Sequence, residues 1–491
     1  MDAQQTLTGT GLSDALFAER APARVSPPAA RTVVIVGAGF SGTAVAIHLL
    51  RLPHAAPLRV VLVERASFAR GVAYARREKS YLLNVPAARM SASSTDPLEF
   101  LRYAQRTLPH ATAEDFLPRE LYGQYLESSL LAAAVASPPH VRLERVHREV
   151  IAIEKARRTR ALEVYLEDGR RIISHNVVLA TGNPQPAPLR GCEEVRDGRY
   201  VADPWRAPVA FRAGETVLVA GTGLTMADIV LAGQDAARGR ATIHAVSRHG
   251  LIPARQGHLQ QVHDPCHGPH LLQGASVSLR RLVRDVRALA EESERCGGDW
   301  REAITAVRSL APALWQRLAA HERRRFLRHV RSYWDVHRHR LPERTWSALD
   351  DLRRSGRLLV HAGRILAVQS TGRQLRVTWR ARGAGASGTL LVDRVVNCTG
   401  PEYDLRHTRE RLLRSLVVQG LAVSDSLALG IATDEFGRLV DTSGRAAANL
   451  YYIGPMLRPR YWETTAVQEL RAHAERLACH LALPAGSWAS A

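Results

Sequence analysis

Residues 32–50, TVVIVGAGFSGTAVAIHLL, contain the pattern that decides the fold. Residues 33–36 form a β-branched apolar run typical of a buried parallel strand, and a helical pattern follows. Three glycines with the spacing G-x-G-x-x-G lie between them: Gly37, Gly39 and Gly42. The first glycine allows a tight turn, the second lets the backbone approach a pyrophosphate, and the third lets the helix pack on the strand. The segment therefore predicts a dinucleotide-binding turn whose helix N-terminus, with Phe40 and Ser41, holds an anion.

A carboxylate at the end of the next strand strengthens this prediction. The run VVLVE ends at Glu64, where the ribose of an adenosine would be hydrogen-bonded. A lone glycine triplet is weak evidence, whereas a triplet between a strand and a helix with a following acid is strong. The alternative is a doubly wound domain with a tight turn and no ligand. The motif indicates a dinucleotide without deciding which one.

The composition of the chain narrows its class. Its 491 residues imply two or three domains, and its formal charge of +20 comes almost entirely from arginine. Such a charge suits phosphates, carboxylates or nucleic acid. The basic residues are dispersed and accompany no nucleic-acid-binding motif, so we expect no nucleic-acid partner. No apolar run reaches the roughly eighteen residues that a membrane span needs, so we expect no transmembrane helix.

The N-terminal segment and the cysteines indicate a cytoplasmic protein. Residues 1–30 lack the basic start and apolar middle of a secretory signal, so we expect a loose leader. The five cysteines are scattered without a C-x-x-C pair, which predicts neither a dithiol redox centre nor a metal site. We therefore expect a reduced, cytoplasmic compartment, and nothing in the sequence indicates an oligomeric state.

A second, imperfect glycine turn follows in TVLVAGTGLTMAD. Gly221 and Gly223 lie between a strand and a helix, but Met226 stands where the third glycine would be. The next strand ends in Ser-Arg-His, with Arg248 where an NAD-specific unit usually has an acid. A hydroxyl and a cation there favour a 2′-phosphate, so we expect NADPH rather than NADH. A surface Arg248 stacked on adenine would be compatible with either cofactor.

The two halves of the chain share a further feature. In each, a hairpin precedes a buried strand that ends in Thr-Gly: Thr181-Gly182 and Thr399-Gly400. This similarity predicts an α/β fold with two dinucleotide-binding, Rossmann-like domains, the second inserted in the first, and a helical insertion. The natural occupants are FAD in the outer domain and NAD(P)H in the inner one, with their reactive rings meeting. The predicted division is a leader at 1–30, FAD-binding parts at 31–210 and 396–491, NAD(P)H-binding parts at 211–260 and 357–395, and the helical insertion at 261–356.

Two further regions are candidates for the reacting end of the site. The insertion ends in WDVHRHR, where His337, Arg338 and Arg340 would suit an anionic substrate; the alternative is a solvated helix face. A short buried strand ends at Gly454. A helix that opens near Thr464, with Thr465 in its first turn, would direct its N-terminal dipole toward the flavin.

Several motifs together resemble a known family: GAGFSG, GVAY, LLNVPAARMSA, DPLEF, PRELYGQYL, GTGLTMAD, WDVHRHR, VVNCTG and YWETTAVQELR. They are similar to the bacterial FAD/NAD(P)-binding proteins that include FAD-dependent urate hydroxylases and nitrosuccinate-forming aspartate N-monooxygenases. The resemblance covers most of the chain from Arg31 onward. It extends to N-hydroxylating flavin monooxygenases, in which a loop ending in DP-x-x-F precedes a helix, here residues 90–100. It implies NAD(P)H on Gly221, Gly223 and Arg248, and FAD on Gly37, Gly39, Gly42, Glu64, Thr181, Gly182, Thr399 and Gly400.

The resemblance implies an FAD-dependent, NAD(P)H-consuming monooxygenase. NAD(P)H would reduce the flavin, and oxygen would add to give a C4a-hydroperoxide that hydroxylates a small anionic, nitrogen-containing substrate. Urate is the first expectation, and N-hydroxylation of an amino acid such as aspartate is the alternative. Asn84 is the candidate for holding the flavin edge or the peroxide, and Arg338 and His337 are the candidates for the substrate. A flavin reductase or dehydrogenase without oxygen insertion, and a sensor without turnover, stay open.

Overall fold

The structure, a computed structural model, describes residues 30–76, 81–192, 195, 198–257, 269–272 and 278–483. The predicted leader at 1–30 lies outside these residues except for its last position. The strands of the first half are β1 (Arg31–Val36), β2 (Leu58–Glu64), β3 (Val141–His147), β4 (Val150–Lys155), β5 (Leu162–Leu166), β6 (Arg171–Ser174), β7 (Asn176–Leu179) and β8 (Tyr200–Val201). The strands of the second half are β9 (Thr216–Ala220), β10 (Thr242–Ser247), β11 (Leu358–Ser370), β12 (Leu375–Ala381), β13 (Gly388–Val392), β14 (Arg394–Asn397), β15 (Arg438–Val440) and β16 (Ala446–Tyr452).

The helices alternate with these strands or form a separate layer. The helices of the first half are α1 (Phe40–Arg51), α2 (Gly71–Tyr74), α3 (Glu99–Gln105), α4 (Arg119–Ala136) and α5 (Leu224–Ala236). Those of the second half are α6 (Leu279–Arg295), α7 (Trp300–Arg317), α8 (Ala320–His329), α9 (Arg331–Arg338), α10 (Glu343–Arg354), α11 (Arg411–Val418), α12 (Arg458–Tyr461) and α13 (Val467–Ala482).

The first unit is built on a six-stranded sheet in the order β15-β16-β7-β1-β2-β3, in which all pairs except β15-β16 are parallel. Helices α1, α4 and α13 cover one face, and their apolar side chains form a continuous core with the sheet. The other face packs on helix α11 and on the three-stranded antiparallel sheet β4-β5-β6. Strand β1 therefore lies near the centre of the sheet, which places the end of this strand and the glycine turn after it in the crevice beyond the parallel strands.

The second unit repeats this plan with a seven-stranded sheet in the order β13-β12-β11-β10-β9-β14-β8. Strands β8, β14, β9, β10 and β11 run parallel, and β11, β12 and β13 form an antiparallel extension. Helices α5 and α10 pack on this sheet. The predicted internal similarity is present, with one difference: β11 continues from the parallel sheet into its hairpin, whereas β3 and β4 are separated at residues 148 and 149.

The boundaries between the units differ from the predicted ones. Strand β14 crosses the predicted boundary between residues 395 and 396, and it pairs with β9 in the second sheet. Strand β8 lies inside the predicted first FAD-binding part, yet it also belongs to the second sheet because it pairs with β14. Pairing across distant segments sets these boundaries, and the local pattern of each strand does not show it.

The helical insertion forms a layer of its own over the cavity between the units. Helices α6 and α7 pack around a small apolar core, against which Trp334 of α9 lies, and α7 also contacts α12. Trp315 and Trp462 lie 4.9 Å apart between ring centroids and join this layer to the C-terminal segment. In the described part of the chain, no helix is long and apolar enough to cross a membrane.

Candidate functional site

The first glycine turn is as tight as its sequence predicts. Gly37 has a φ of +100°, and a Cβ there would lie 2.4 Å from the carbonyl oxygen of Ala180. A Cβ at Gly42 would lie 1.9 Å from the carbonyl oxygen of Gly37. No side chain caps helix α1 at Gly39, so its first N–H groups are left for an anion.

Glu64 ties this turn to the end of β2. One carboxylate oxygen accepts a hydrogen bond from the N–H of Ala38 at 2.7 Å, and the other accepts one from Ala66 at 2.9 Å. A carboxylate oxygen has two acceptor positions, so both oxygens keep capacity for a ribose hydroxyl. The placement fits the ribose-binding role predicted from the sequence.

The second turn is as tight as the first at its first glycine, but it has no glycine at the third position. Gly221 has a φ of +106°, and a Cβ there would lie 2.3 Å from the carbonyl oxygen of Cys398. Met226, at the position of Gly42, is fully buried and packs in the core of the second unit. Around Gly223, a Cβ would meet no described atom within 4 Å. The second turn therefore has room for a side chain at the third position, where the first turn has none.

Each of the two Thr-Gly turns lies beside the glycine turn of one unit. Thr181 and Gly182 follow Ala180, whose N–H donates to Val36 at 2.8 Å beside the first turn. Thr399 and Gly400 follow Cys398, whose N–H donates to Ala220 at 2.7 Å beside the second turn. Thr399 and Gly400 therefore lie beside the second glycine turn, and because they line the same cavity as the first turn, their contact with FAD stays a prediction.

The end of β10 carries no counterpart of Glu64. Ser247 Oγ accepts a hydrogen bond from the hydroxyl of Thr222 at 2.8 Å, which joins this strand end to the second turn. Arg248 follows it, and burial together with Arg382 and Arg248 lowers the pKa of His249. A hydroxyl and a guanidinium in this position suit a phosphate better than a bare ribose.

Both turns open into one cavity of about 1280 Å³. Single-ligand pockets are usually about 300–1,000 Å³, so this space is large enough for more than one ligand. Fifteen of the predicted site residues line it: Gly37, Gly39, Phe40, Ser41, Glu64, Asn84, Thr181, Gly182, Gly221, Gly223, Arg248, Arg338, Thr399, Gly400 and Thr465. Gly42, His337 and Gly454 do not. Gly42 acts on the turn through its backbone contact, as above.

His337 is the clearest correction among the proposed catalytic residues. Its Nδ1 hydrogen-bonds the carbonyl of Tyr333 at 2.7 Å, and its ring meets the edge of Trp300 at 5.1 Å, away from the cavity. His339 lines the cavity instead, and burial lowers its pKa to about 3, so it is neutral at pH 7. Helix α9 ends at Arg338, and this end turns residue 339 toward the cavity. The alternation HRHR alone does not tell these two histidines apart.

Arg338 lies on the cavity wall with nine-tenths of its side chain buried. Its Nε lies 3.3 Å from a carboxylate oxygen of Glu463, and its terminal nitrogen lies 4.0 Å from Glu469. Neither nitrogen makes a hydrogen bond within the described part of the chain. Burial is the main cause that lowers the pKa of Arg338. The guanidinium of Arg338 is therefore paired with carboxylates beside the cavity wall, and its contact with an anionic substrate stays a prediction.

The surroundings of Arg338 are rich in positive charge. Arg308 lies near both Arg89 and Arg338, and Arg340 lies near both Arg308 and Arg338. Burial lowers the pKa of Arg340 to about 10, with Arg301 as the next cause. Arg340 does not line the cavity, so its predicted contact with the substrate is not supported. The two glutamates of this cluster, Glu463 and Glu469, were not predicted, since their role depends on packing against α7 and α9.

The C-terminal segment enters the cavity as predicted, at a shifted position. Helix α13 begins at Val467 and not near Thr464, because Thr464 is buried and donates to the carbonyl of Pro455 at 3.0 Å. Thr465 and the first turn of α13 line the cavity. Gly454 lies behind this wall with a φ of +134°. In the described residues, no group of three or more metal-ligating side chains is present.

A family model described as FAD-NAD(P)-binding matches residues 34–184, which contain the first glycine turn, Glu64 and Asn84. No curated protein matches the chain by sequence.

Solved structures extend the likeness over most of the chain. The ornithine N-hydroxylase of Kutzneria sp. 744 is 18% identical with a TM-score of 0.60, covering 92% of this chain and 99% of its own. The ornithine hydroxylase of Pseudomonas aeruginosa is 16% identical with a TM-score of 0.60 and the same coverage. The L-lysine 6-monooxygenase of Pseudomonas syringae is 17% identical with a TM-score of 0.60, covering 91% of this chain and 98% of its own.

The predicted fold class is confirmed. Likeness at this level of identity shows a shared fold, and function has to be argued from the site.

Proposed function

We propose that this protein is an FAD- and NADPH-dependent monooxygenase that hydroxylates the nitrogen of a small amino acid. One observation carries the proposal: two dinucleotide turns open into a single cavity whose wall includes the buried Arg338. The structural neighbours are ornithine and lysine hydroxylases, and they support N-hydroxylation over the first expectation, urate. FAD fits the first turn, which matches the FAD-NAD(P)-binding model, and NADPH fits the second.

Bound FAD would take hydride from NADPH and activate oxygen. The residues of this chain bind and orient: helix α1 offers N–H groups to one pyrophosphate, and Gly223 gives the other room to approach the second turn. Asn84 lines the cavity and can both donate and accept a hydrogen bond. Helix α9 of the helical layer and the first turn of α13 form part of the cavity wall.

The charge around Arg338 narrows the substrate class. Arg308 and Arg338 pair with the two glutamates, at 463 and 469, and two more arginines, at 89 and 340, lie near Arg308, which gives four arginines to two glutamates. A second amino group on the substrate would add a cation to this excess of positive charge, whereas a second carboxylate would compensate it. We therefore favour an amino dicarboxylate such as aspartate over ornithine or lysine.

A substrate panel tests this proposal. Purified protein with FAD and NADPH would be given aspartate, ornithine, lysine or urate, while NADPH oxidation, oxygen uptake and hydroxylamine product are followed together. We expect aspartate to stimulate oxygen uptake and to give an N-hydroxylated product. NADPH oxidation that is coupled only to an artificial acceptor would favour a reductase instead. A hydroxylated urate product would restore the first expectation.

Substituting Arg338 by Ala tests the substrate contact. A hydrogen bond to a charged group contributes about 1.5–3 kcal/mol, so KM for the substrate should rise at least about tenfold. The FAD content should stay the same, because Arg338 lies away from the first glycine turn. His337→Ala is the matched control and should leave KM unchanged, since its ring lies off the cavity. An unchanged KM in Arg338→Ala would remove Arg338 from the substrate site.

A further inference from the structure

A buried ion pair joins the two dinucleotide units inside the cavity. Arg119, the first residue of α4 in the first unit, donates to a carboxylate oxygen of Asp228 on α5 of the second unit at 2.8 Å. The side chains are 14% and 10% exposed, and both line the cavity. Charges this deeply buried are costly to desolvate, so a pair that bridges two separate units calls for a reason beyond stability.

The planar guanidinium group of Arg119 makes three contacts. Besides Asp228, its Nε donates to the carbonyl of Leu82 at 3.0 Å, two residues before Asn84. Its guanidinium also stacks over the ring of Trp205 at 5.2 Å. Because the guanidinium is rigid, it fixes the direction of each of these groups relative to the others.

Arg119 and Asp228 each lie close to a segment that would hold a cofactor. Asp228 lies one turn along α5 from the second glycine turn. Leu82 lies two residues before Asn84, which lines the cavity from the first unit. Tyr81, from the same segment of the first unit, packs in the core of the second unit and tilts against Trp205 at 5.7 Å. The Arg119–Asp228 ion pair is thus the polar part of a contact between the two units. This contact sets the position of the second glycine turn relative to the first unit.

We propose that Arg119 and Asp228 are positioning residues that hold the second glycine turn in register with the segment of Leu82 and Asn84 in the first unit, and so set the approach of the two cofactors. This role rests on the proposed function, since it requires two cofactors in one cavity. Hydride transfer depends steeply on the alignment of donor and acceptor. The pair touches neither reacting atom, and its effect would come through the relative placement of the units.

A matched control exists in the second unit. Arg394 and Glu215 form an ion pair at 2.7 Å with side chains 17% and 7% exposed, close to the values for Arg119 and Asp228. Both of its members belong to the second unit, and neither lines the cavity. Breaking it should lower stability by a similar amount without altering the placement of the two units.

The test compares Asp228→Asn, Arg119→Gln, their double variant and Arg394→Gln in the FAD-loaded full chain. The rate of flavin bleaching by NADPH is followed without oxygen, and thermal stability and FAD content are measured in parallel. We expect each change at the pair to slow bleaching at least about tenfold. The double variant should be no slower than the slower single one, since both changes remove the same interaction. Arg394→Gln should change the rate less than about twofold at a comparable loss of stability.

A conservative variant and the pH profile separate positioning from stability. Arg119→Lys keeps the charge but loses the fork, so it should recover only part of the rate. Burial raises the pKa of Asp228 to about 6 despite Arg119, with Cys398 and Asp203 as the other groups nearby. The pair is therefore fully ionised above this pH, and bleaching by the unsubstituted protein should slow as the pH falls through 6. Asp228→Asn should lack this step.

Three outcomes overturn the inference. A bleaching rate in Asp228→Asn equal to that of Arg394→Gln would make the pair merely structural. Fully additive effects in the double variant would show that the two residues act separately. If the flavin of the unsubstituted protein is not bleached by NADPH at all, the proposed function fails first and the positioning role with it.

Discussion

The two glycine turns follow the same backbone path and differ at the third position. Gly37 and Gly221 have nearly equal positive φ values, +100° and +106°, and both lie against the carbonyl oxygen of a strand from far along the chain. Gly42 leaves no space for a Cβ, whereas Met226 fills the corresponding place with a buried side chain. A departure from the glycine pattern can therefore mark a helix that lies farther from its turn, and not a damaged site.

The strand ends that follow the turns differ in charge. Glu64 accepts two backbone hydrogen bonds beside the first turn. Ser247 and Arg248 occupy the matching place beside the second turn, where Ser247 joins Thr222. One unit therefore places an anion at this strand end and the other a cation, as a ribose and a phosphate would respectively require.

Gly42→Ala should show the largest difference between the turns. The new methyl group would collide with the carbonyl of Gly37, which cannot move without opening the turn. We expect a loss of about 3 kcal/mol in the free energy of unfolding, together with loss of FAD. Denaturant unfolding and flavin absorbance after desalting measure these effects. Gly223→Ala is the control, because a Cβ there meets no described atom within 4 Å, and its stability should be unchanged. A Gly42→Ala protein that keeps FAD and full stability would refute the close approach.

Gly37→Ala and Gly221→Ala should assign one cofactor to each turn. An alanine held at a positive φ lowers the stability of the fold by about 1–3 kcal/mol, and each new methyl group would also collide with a carbonyl oxygen. We expect Gly37→Ala to be purified without flavin. Gly221→Ala should keep FAD but be reduced by NADPH at least about tenfold more slowly. Loss of flavin in both variants to the same extent would contradict the division of cofactors between the units.

His480→Gln tests the outer face of the first unit. His480 is buried on α13 beside Tyr451 and Phe436, and burial lowers its pKa to about 4. A histidine with a depressed folded pKa stabilises the fold fully above its unfolded pKa of about 6.5, and this contribution is lost as the pH falls. At pH 5 the loss is about 2 kcal/mol, since each pKa unit is worth about 1.4 kcal/mol.

The measurement for His480 is unfolding by urea at pH 7 and pH 5. The glutamine variant should lose less stability on acidification than the unsubstituted protein, by about 2 kcal/mol. His110→Gln, at an exposed position, serves as the control. An identical pH dependence in the His480 and His110 variants would show that His480 does not titrate in this range.

Arg248→Ala should have the smallest effect, and it tests directly whether the second turn selects NADPH over NADH. If Arg248 contacts the 2′-phosphate, KM for NADPH should rise about tenfold, or about 1.4 kcal/mol, while KM for NADH stays the same. Arg240→Ala, an exposed arginine after α5, is the control. Equal changes for both nucleotides would mean that Arg248 stacks on adenine and does not choose between them.

The sequence predicted the site best where the chain makes the site locally. Gly37, Gly39, Glu64, Gly221 and Arg248 all lie where the strand–turn–helix pattern places them. The backbone conformation of such a turn depends on a few neighbouring residues, so its sequence is sufficient to recognise it.

The prediction weakened where distant segments meet. His337 and His339 differ by two positions, and only the end of α9 decides which one reaches the cavity. Thr399-Gly400 lies beside the second turn because β14 pairs with β9. Glu463 is the ion-pair partner of Arg338 because the C-terminal segment packs beside α9. Each of these results depends on contacts between residues far apart in the chain, which a local pattern does not contain.

The sequence by itself determined that two dinucleotide turns exist and that each lies between a strand and a helix. It did so because glycine spacing and apolar runs encode backbone geometry over a few residues. The tertiary structure alone decided that both turns share one cavity, that Arg338 faces it while His337 does not, and that Arg119 meets Asp228. The physical reason is that burial and ion pairing arise only when separate units pack together.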